Sequence, residues 1–259
     1  MKKIIAVLIA FMILVMCSSC SNQKESSNSA DSGEVEPAAK KKIPVFSSVA
    51  VGDVITFGHY EQDNNLYNGP EAIDWLVLDV QEGKALLMSK YGLDVKPYNT
   101  EKVDITWEEC SLRSWLNNDF MNTAFSLEEQ SVILTTELDN TATPGYDERT
   151  TFGGNNTKDK LFLLSFVEAN KYLGLTDVHE DLVSLRVAPT AYAIANGAGV
   201  DEERYWLTED GDPTGGWELR SPGSKQYYVI GVNGAGSICY YNVNENYTVN
   251  RPAFWLKLD

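Results

Sequence analysis

Apolar and polar positions change pattern along the chain, and each pattern predicts a different kind of segment. Ile4–Met16 is an unbroken apolar run behind the basic Met1-Lys2-Lys3. It is shorter than the roughly 20 residues of a membrane-spanning helix and has the form of a secretory signal. Ser21 to about Lys42 is Ser, Asn, Glu, Lys and Ala without apolar periodicity. Such a stretch cannot bury enough surface to offset its ordering entropy, and a disordered tether is expected. From about Val45 the pattern becomes that of a folded domain. Val54–Phe57 after Gly52-Asp53, the largely apolar Ile73–Val80, and Lys84–Ser89 after Glu82-Gly83 predict a three-strand meander.

Helix signals follow. Thr106-Trp107-Glu108-Glu109 has the form of a capping box, with Leu112, Trp115, Leu116 and Phe120 at helical spacing behind it. Ser126-Leu127-Glu128-Glu129 predicts a second helix, through about Leu134. Ser165-Phe166-Val167-Glu168 predicts a third, after the strand-like Leu161–Leu164. A short fourth is expected near Pro189–Asn196, closed by Gly197. Between the second and third lies Asp139–Asp159, read as one long polar loop. Gln226–Val232 and Ser237–Val243 flank Asn233-Gly234-Ala235-Gly236, a hairpin signal, and Arg251–Leu258 reads as a closing strand.

Composition narrows the function classes. The net charge of −16 argues against nucleic acid, whose phosphates need a basic patch. A length of 259 residues with 43% apolar content supports a sizeable core. Cys17-Ser18-Ser19-Cys20-Ser21 behind the apolar run resembles a bacterial lipoprotein signal. Ser18 and Ser19 suit cleavage before Cys20, whereas Met16 is bulky for cleavage before Cys17. The expected organisation is therefore a signal peptide over 1–19, a tether over 20–44 starting at a lipidated Cys20, and one globular domain over 45–259. The expected location is the outer face of the cytoplasmic membrane, with the lipid bilayer as a partner.

No catalytic pattern stands out. There is no Gly-x-Ser-x-Gly, and no Cys has a His near it in sequence. His59 and His179 are far apart, so no metal site is expected. Asp210-Gly211-Asp212 begins like a calcium loop, but Pro213 and Ser221 break the pattern, and an acidic turn is the better reading. No cofactor is expected. Cys110 and Cys239 are expected as two buried free thiols. Trp75, Trp107, Trp115 and Trp255 are assigned to the core.

Two stretches pair a Trp with an Arg and a Pro: Gly216–Gly223 and Asn250–Leu256. They are expected to meet, with the rings buried and Arg220 and Arg251 held by carbonyls or acids, Glu218 and Glu245 being candidate partners. In that reading the two arginines fix a Ser221-Pro222-Gly223 turn against the final strand. The functional alternative makes Trp217, Arg220 and Arg251 ligand contacts, with Tyr146 and Asn155 contributed by the long loop.

Gly52–Tyr60, Ile73–Leu78, Trp107–Phe120 with its Leu-Arg-Ser-Trp-Leu-Asn core, Trp217–Gly223 and Arg251–Leu256 together resemble domain of unknown function 6273. The resemblance runs from about Val51 to Leu258. It implies a surface or secreted protein of Gram-positive gut bacteria and carries no established activity. The ending Arg-Pro-Ala-Phe-Trp is distantly similar to the close of C-type-lectin-like folds, including the formylglycine-generating enzymes. Those enzymes need a cysteine pair near the C-terminal active site, and only Cys239 lies there. The expected fold is α+β and C-type-lectin-like, with short helices on twisted antiparallel sheets and a loop-rich face. The expected function is a non-catalytic recognition module for glycans, peptidoglycan or other cell-wall material. The alternatives are a divergent loop-built hydrolase or modifying enzyme and a structural envelope lipoprotein.

Overall fold

The first three strands, β1 (Val54–Tyr60), β2 (Glu71–Gln81) and β3 (Lys84–Ser89), pair as an antiparallel meander. The structure, a computed structural model, describes residues 49–141, 151–176, 180–200 and 205–259. These residues belong to one unit, Lys42–Asp259. Cys20, the apolar run Ile4–Met16, the tether, Tyr146 and His179 lie outside them. Among the described residues no helix is long and apolar enough to cross a membrane.

The helical region begins one turn later than the sequence predicts. Thr106 does not cap a helix: Trp107–Glu109 form a turn, and α1 (Ser111–Trp115) starts behind Cys110, whose Sγ accepts from the Arg113 amide at 3.5 Å. A tertiary contact overrides the local signal here. The buried Trp107 indole donates to Asp159 Oδ2 at 3.0 Å, which anchors the ring outside the helix. The chain then passes through a π-helical turn, Leu116–Phe120, into α2 (Met121–Ala124). Asn117 on that turn accepts from the amides of Lys160 and Leu161 and donates to the Leu161 carbonyl. Leu112, Leu116 and Phe120 are buried as their spacing predicts.

Ser126 does form a capping box with Glu129, opening α3 (Leu127–Val132). The helix stops short of Leu134. Ile133–Leu134 are extended as β4 and pair with Leu256 and Trp255 of the last strand. The predicted long loop also contains structure: β5 (Thr136–Leu138) pairs with β6 (Thr157–Asp159). Ser165 and Glu168 form the second capping box, at the start of α4 (Phe166–Leu173). Thr190 caps α5 (Ala191–Ala195), and Gly197 follows it at φ +105°.

The C-terminal third is a three-stranded antiparallel sheet, β7 (Trp217–Pro222), β8 (Tyr228–Val232) and β9 (Ile238–Asn242), followed by β10 (Ala253–Lys257). Ser221 and Pro222 belong to β7, which is bulged between Glu218 and Pro222, so the predicted turn there is a strand. The Asn233–Gly236 hairpin forms as predicted, with Asn233 Oδ1 accepting from the amides of Ala235 and Ser237. β10 inserts between β3 and β4, giving a five-stranded sheet in the order β1-β2-β3-β10-β4. The protein is thus α+β, with short helices on antiparallel sheets.

The last strand and the first meander share one aromatic core. Trp75 meets Phe254 edge-on at 4.7 Å and Phe125 meets Phe57 at 5.5 Å. The Trp75 indole donates to the Phe57 carbonyl at 2.7 Å, so this ring is satisfied as well as buried. The bulge in β1 places Gly58 against Phe125 and the Ala124 carbonyl at φ +70°, where any Cβ would collide.

Cys110 and Cys239 are free thiols, Cys110 buried and Cys239 half-buried rather than fully enclosed. Burial pushes both thiols up to about 12. Alkylation of the native protein at pH 8 is therefore expected to be slow at both, because the thiolate is the reactive form. Unfolding without reductant should then expose two adducts on the mature chain by intact mass. No adduct after unfolding would mean that they are bridged.

Candidate functional site

Trp217 and Arg251 come together as the shared Trp-Arg-Pro pattern predicts. Trp217 pairs with Val249 as a parallel bridge, and the Arg251 guanidinium lies 4.8 Å from the centre of its ring. The Trp217 indole is 1% exposed and donates to the Leu185 carbonyl, so it has no face to offer a ligand. Arg251 donates from Nε and Nη2 to the Ser89 carbonyl at 3.2 and 3.0 Å. No carboxylate pairs with it among the described residues, and burial lowers its pKa from the ordinary guanidinium value.

Arg220 is held differently, and not by the predicted acids. It is 3% exposed and donates to Asn140 Oδ1 at 3.0 Å, the Leu163 carbonyl at 2.8 Å, the Asp139 carbonyl at 3.3 Å and Glu168 Oε2. The same Glu168 oxygen accepts from the Ser165 amide, so the ion pair and the α4 capping box share one carboxylate. Asn140 passes the connection on, donating to the Asn155 carbonyl and Thr157 Oγ1. A cavity of about 130 Å³ opens beside this cluster. Of the other predicted partners, Glu218 accepts from Thr248 and Glu245 from Asn242. Asn155 does not line the cavity; its side chain donates to Glu108 at 2.9 Å.

The remaining tryptophans pack. Trp75 and Trp107 are 0% and 1% exposed. Trp115 packs on Phe120 at 5.2 Å, and Trp255, in β10, carries Lys84 Nζ 4.3 Å over its ring.

The larger hollows are elsewhere. One of about 480 Å³ lies between the end of β1, the start of β2, α5 and the Asp212-Pro213 turn. A second, of about 260 Å³, shares Tyr91, Ala188 and Asp212 with it and reaches Arg251. The 207–217 segment therefore faces these hollows while the 139–141 and 153 positions face the Arg220 cavity, and the described residues of the two loops share none of these pockets. Asp210 and Asp212 sit on a tight turn, with the Thr208 amide donating to the Asp212 carbonyl and Gly211 at φ +88°.

A carboxylate cluster absent from the sequence reading stands at the rim of the larger hollow. Oxygens of Glu61, Asp63 and Glu71 lie within 4.8 Å of one another. Asp63 accepts from the Asn65 amide and the Asn68 side chain, which lowers its pKa. Glu71 Oε2 accepts from the amides of Gln62 and Asp63. Desolvation, then the neighbouring Glu71 and Asp63, raises Glu61. Glu61 and Asp63 in one turn-rich segment were the available signal. Glu71 joins them only because the 62–70 loop returns to the same sheet end.

These features define an α+β domain with short helices on antiparallel sheets and an acidic-rimmed cleft on one face. The chain belongs to the family described as "Domain of unknown function (DUF6273)", whose profile matches residues 82–258. The match leaves β1 and β2 outside it, although both pair into the same sheet as β3 and β10. No curated protein and no solved structure matches the chain.

Proposed function

We propose that this protein is a recognition module displayed on a lipid anchor at the outer face of the cytoplasmic membrane, with glycan or other cell-wall material as its ligand. A C-type-lectin-like arrangement of the loop-rich face belongs to the same proposal. The observation that carries the binding role is the larger hollow. Its wall is mostly apolar, its volume falls in the roughly 300–1,000 Å³ range of ligand sites, and no Ser, Cys or His lines it among the described residues. A glycan and cell-wall array probed with the full chain tests this role. Retention of the parent and its loss on Ile194→Arg, which fills the hollow from an exposed position, is the expected result.

A hydrolase is the second reading, favoured by one observation. Glu61 is raised and Asp63 lowered, the opposed shifts of an acid and a base. Against it, Asp63 and Glu71 already brace the 62–70 loop through their accepted hydrogen bonds. Turnover on a polysaccharide panel that disappears in Glu61→Gln would establish this reading over the first.

The anchor has its own test. Mass spectrometry of the mature N-terminus should find Cys20 first in the chain and carrying lipid. An unmodified Cys20 in membrane-extracted protein would remove the anchor from the proposal.

A further inference from the structure

Among the described residues, three carboxylates and no cationic side chain line the larger hollow: Asp63, Glu71 and Asp212. Two stand at the sheet end and one on the 208–213 turn. The Asp212 carboxylate is exposed and accepts no hydrogen bond from the described residues. An oxygen of Glu61 lies within 4.8 Å of oxygens of Asp63 and Glu71. Between the acids the surface is apolar, formed by Ile194, Pro189, Pro213, Val200 and the Tyr91 ring.

The polar neutral side chains of the wall are already engaged. The Gln62 amide donates to the carbonyls of Glu71 and Ala72. The Thr190 hydroxyl donates to the Leu93 carbonyl and accepts from the Ala193 amide. That leaves a sugar the rim carboxylates as acceptors but, among the described residues, little beyond the Tyr91 phenol as a side-chain donor. An acidic ligand would meet three carboxylates. A second copy of this chain would bring its own net charge of −16 against them.

We propose that this hollow docks a peptide segment in which an ammonium side chain is flanked by apolar residues. A lysine-type side chain suits both parts of the surface: its methylene stem lies on the apolar wall while the ammonium reaches a rim carboxylate. The apolar neighbours cover the remainder of the wall, and the acidic rim selects the sign of the partner's charge. The inference rests on the hollow being the ligand site of the recognition module, and narrows the ligand from glycan or other cell-wall material to a peptide.

The test uses the full chain in detergent and affinity selection read by mass spectrometry. The probes are blocked tripeptides, acetyl-Xaa-Lys-Xaa-amide, with Ala, Val, Leu, Ile or Phe at Xaa. Matched sets carry Nε-acetyl-lysine or Glu at the centre. Lysine peptides should be enriched at least tenfold over both matched sets. Asp212→Asn, an exposed change that breaks no side-chain hydrogen bond among the described residues, should cut that enrichment several-fold, and Ile194→Arg should abolish it. Equal recovery of lysine and acetyl-lysine peptides overturns the proposal, as does enrichment that survives Ile194→Arg. A glycan array separates the two levels. Sugar retention without lysine-peptide enrichment refutes the peptide and keeps the recognition module. Retention of neither probe class refutes both.

Discussion

Arg220→Ala is expected to lower the stability of the domain by about 3–5 kcal/mol, the cost of breaking a buried ion pair by removing one member. The guanidinium is 3% exposed, and its partner Glu168 has a side chain 28% exposed, so solvent screens the pair only weakly. The larger loss is geometric. One planar group joins β7 to the Leu163 and Asp139 carbonyls, to Asn140 and to the first turn of α4. Truncation leaves Asn140 Oδ1 and two carbonyls without this donor, and unsatisfied buried acceptors are costly. Asn140 also holds Asn155 and Thr157, so the packing of β6 should loosen as well. Thermal unfolding should shift down on the order of 10 °C for a domain of this size. Arg220→Lys should recover only part of the loss, because an ammonium cannot reproduce the fork. A melt of Arg220→Ala that superimposes on the parent would remove the structural role and turn attention to the adjoining cavity.

The second large effect is a pH dependence centred on Glu218. Its carboxyl is 1% exposed in β7, Oε1 accepts from Thr248 at 3.0 Å, and Oε2 has no partner among the described residues. Burial pushes the group up to about 8 from its ordinary 4.5, with Glu245 adding in the same direction and the Thr248 bond opposing. The folded state therefore holds a proton that the unfolded chain releases near pH 4.5. The contribution to stability is complete below pH 4.5 and is lost as pH rises through about 8. At about 1.4 kcal/mol per pH unit the window amounts to a few kcal/mol. Glu218→Gln keeps the acceptor for Thr248 and removes the ionisable proton. Urea unfolding across pH 4 to 9 should show parent and variant close together at the acid end. The variant should be more stable by a few kcal/mol at pH 9. Parallel curves for the two proteins would mean that Glu218 does not titrate in this window.

Much of the local structure follows from residues near in sequence. The Ser126 and Ser165 capping boxes form because donor, acceptor and helix start all lie within four residues. The Asn233–Gly236 hairpin forms because Asn233 satisfies its own turn. Thr106 shows where that logic fails. Its box pattern is intact, yet Asp159 holds the Trp107 indole from a strand some fifty residues away, and one buried hydrogen bond outweighs a surface cap. Ile133–Leu134 read as helix because nothing near them in sequence announces β10, their partner from the C-terminal end.

The candidate cleft was less legible than the fold. Asp212 read correctly as part of an acidic turn, but its place in one hollow with Asp63 and Glu71 depends on three segments of distant sequence converging. The Trp-Arg pairing was legible for Trp217 and Arg251, because matching compositions in two apolar stretches point to a common core. The partner of Arg220 was not: Glu168 was assigned to a helix cap, and one carboxylate oxygen serves both roles.

By itself the sequence determined the element types of the β1–β3 meander, two of the three proposed boxes, the short α5 and the C-terminal hairpin. It also determined the α+β class and the packing of Trp75, Trp107, Trp115 and Trp255. These depend on hydrophobic period, turn chemistry and capping, whose range is a few residues. Only the tertiary structure decided that β10 lies between β3 and β4, that Glu218 is enclosed with the Thr248 hydroxyl as its one side-chain donor among the described residues, and that three carboxylates rim one apolar hollow. Those outcomes depend on which surfaces are buried together, and burial across long sequence separations leaves no periodic trace in the chain.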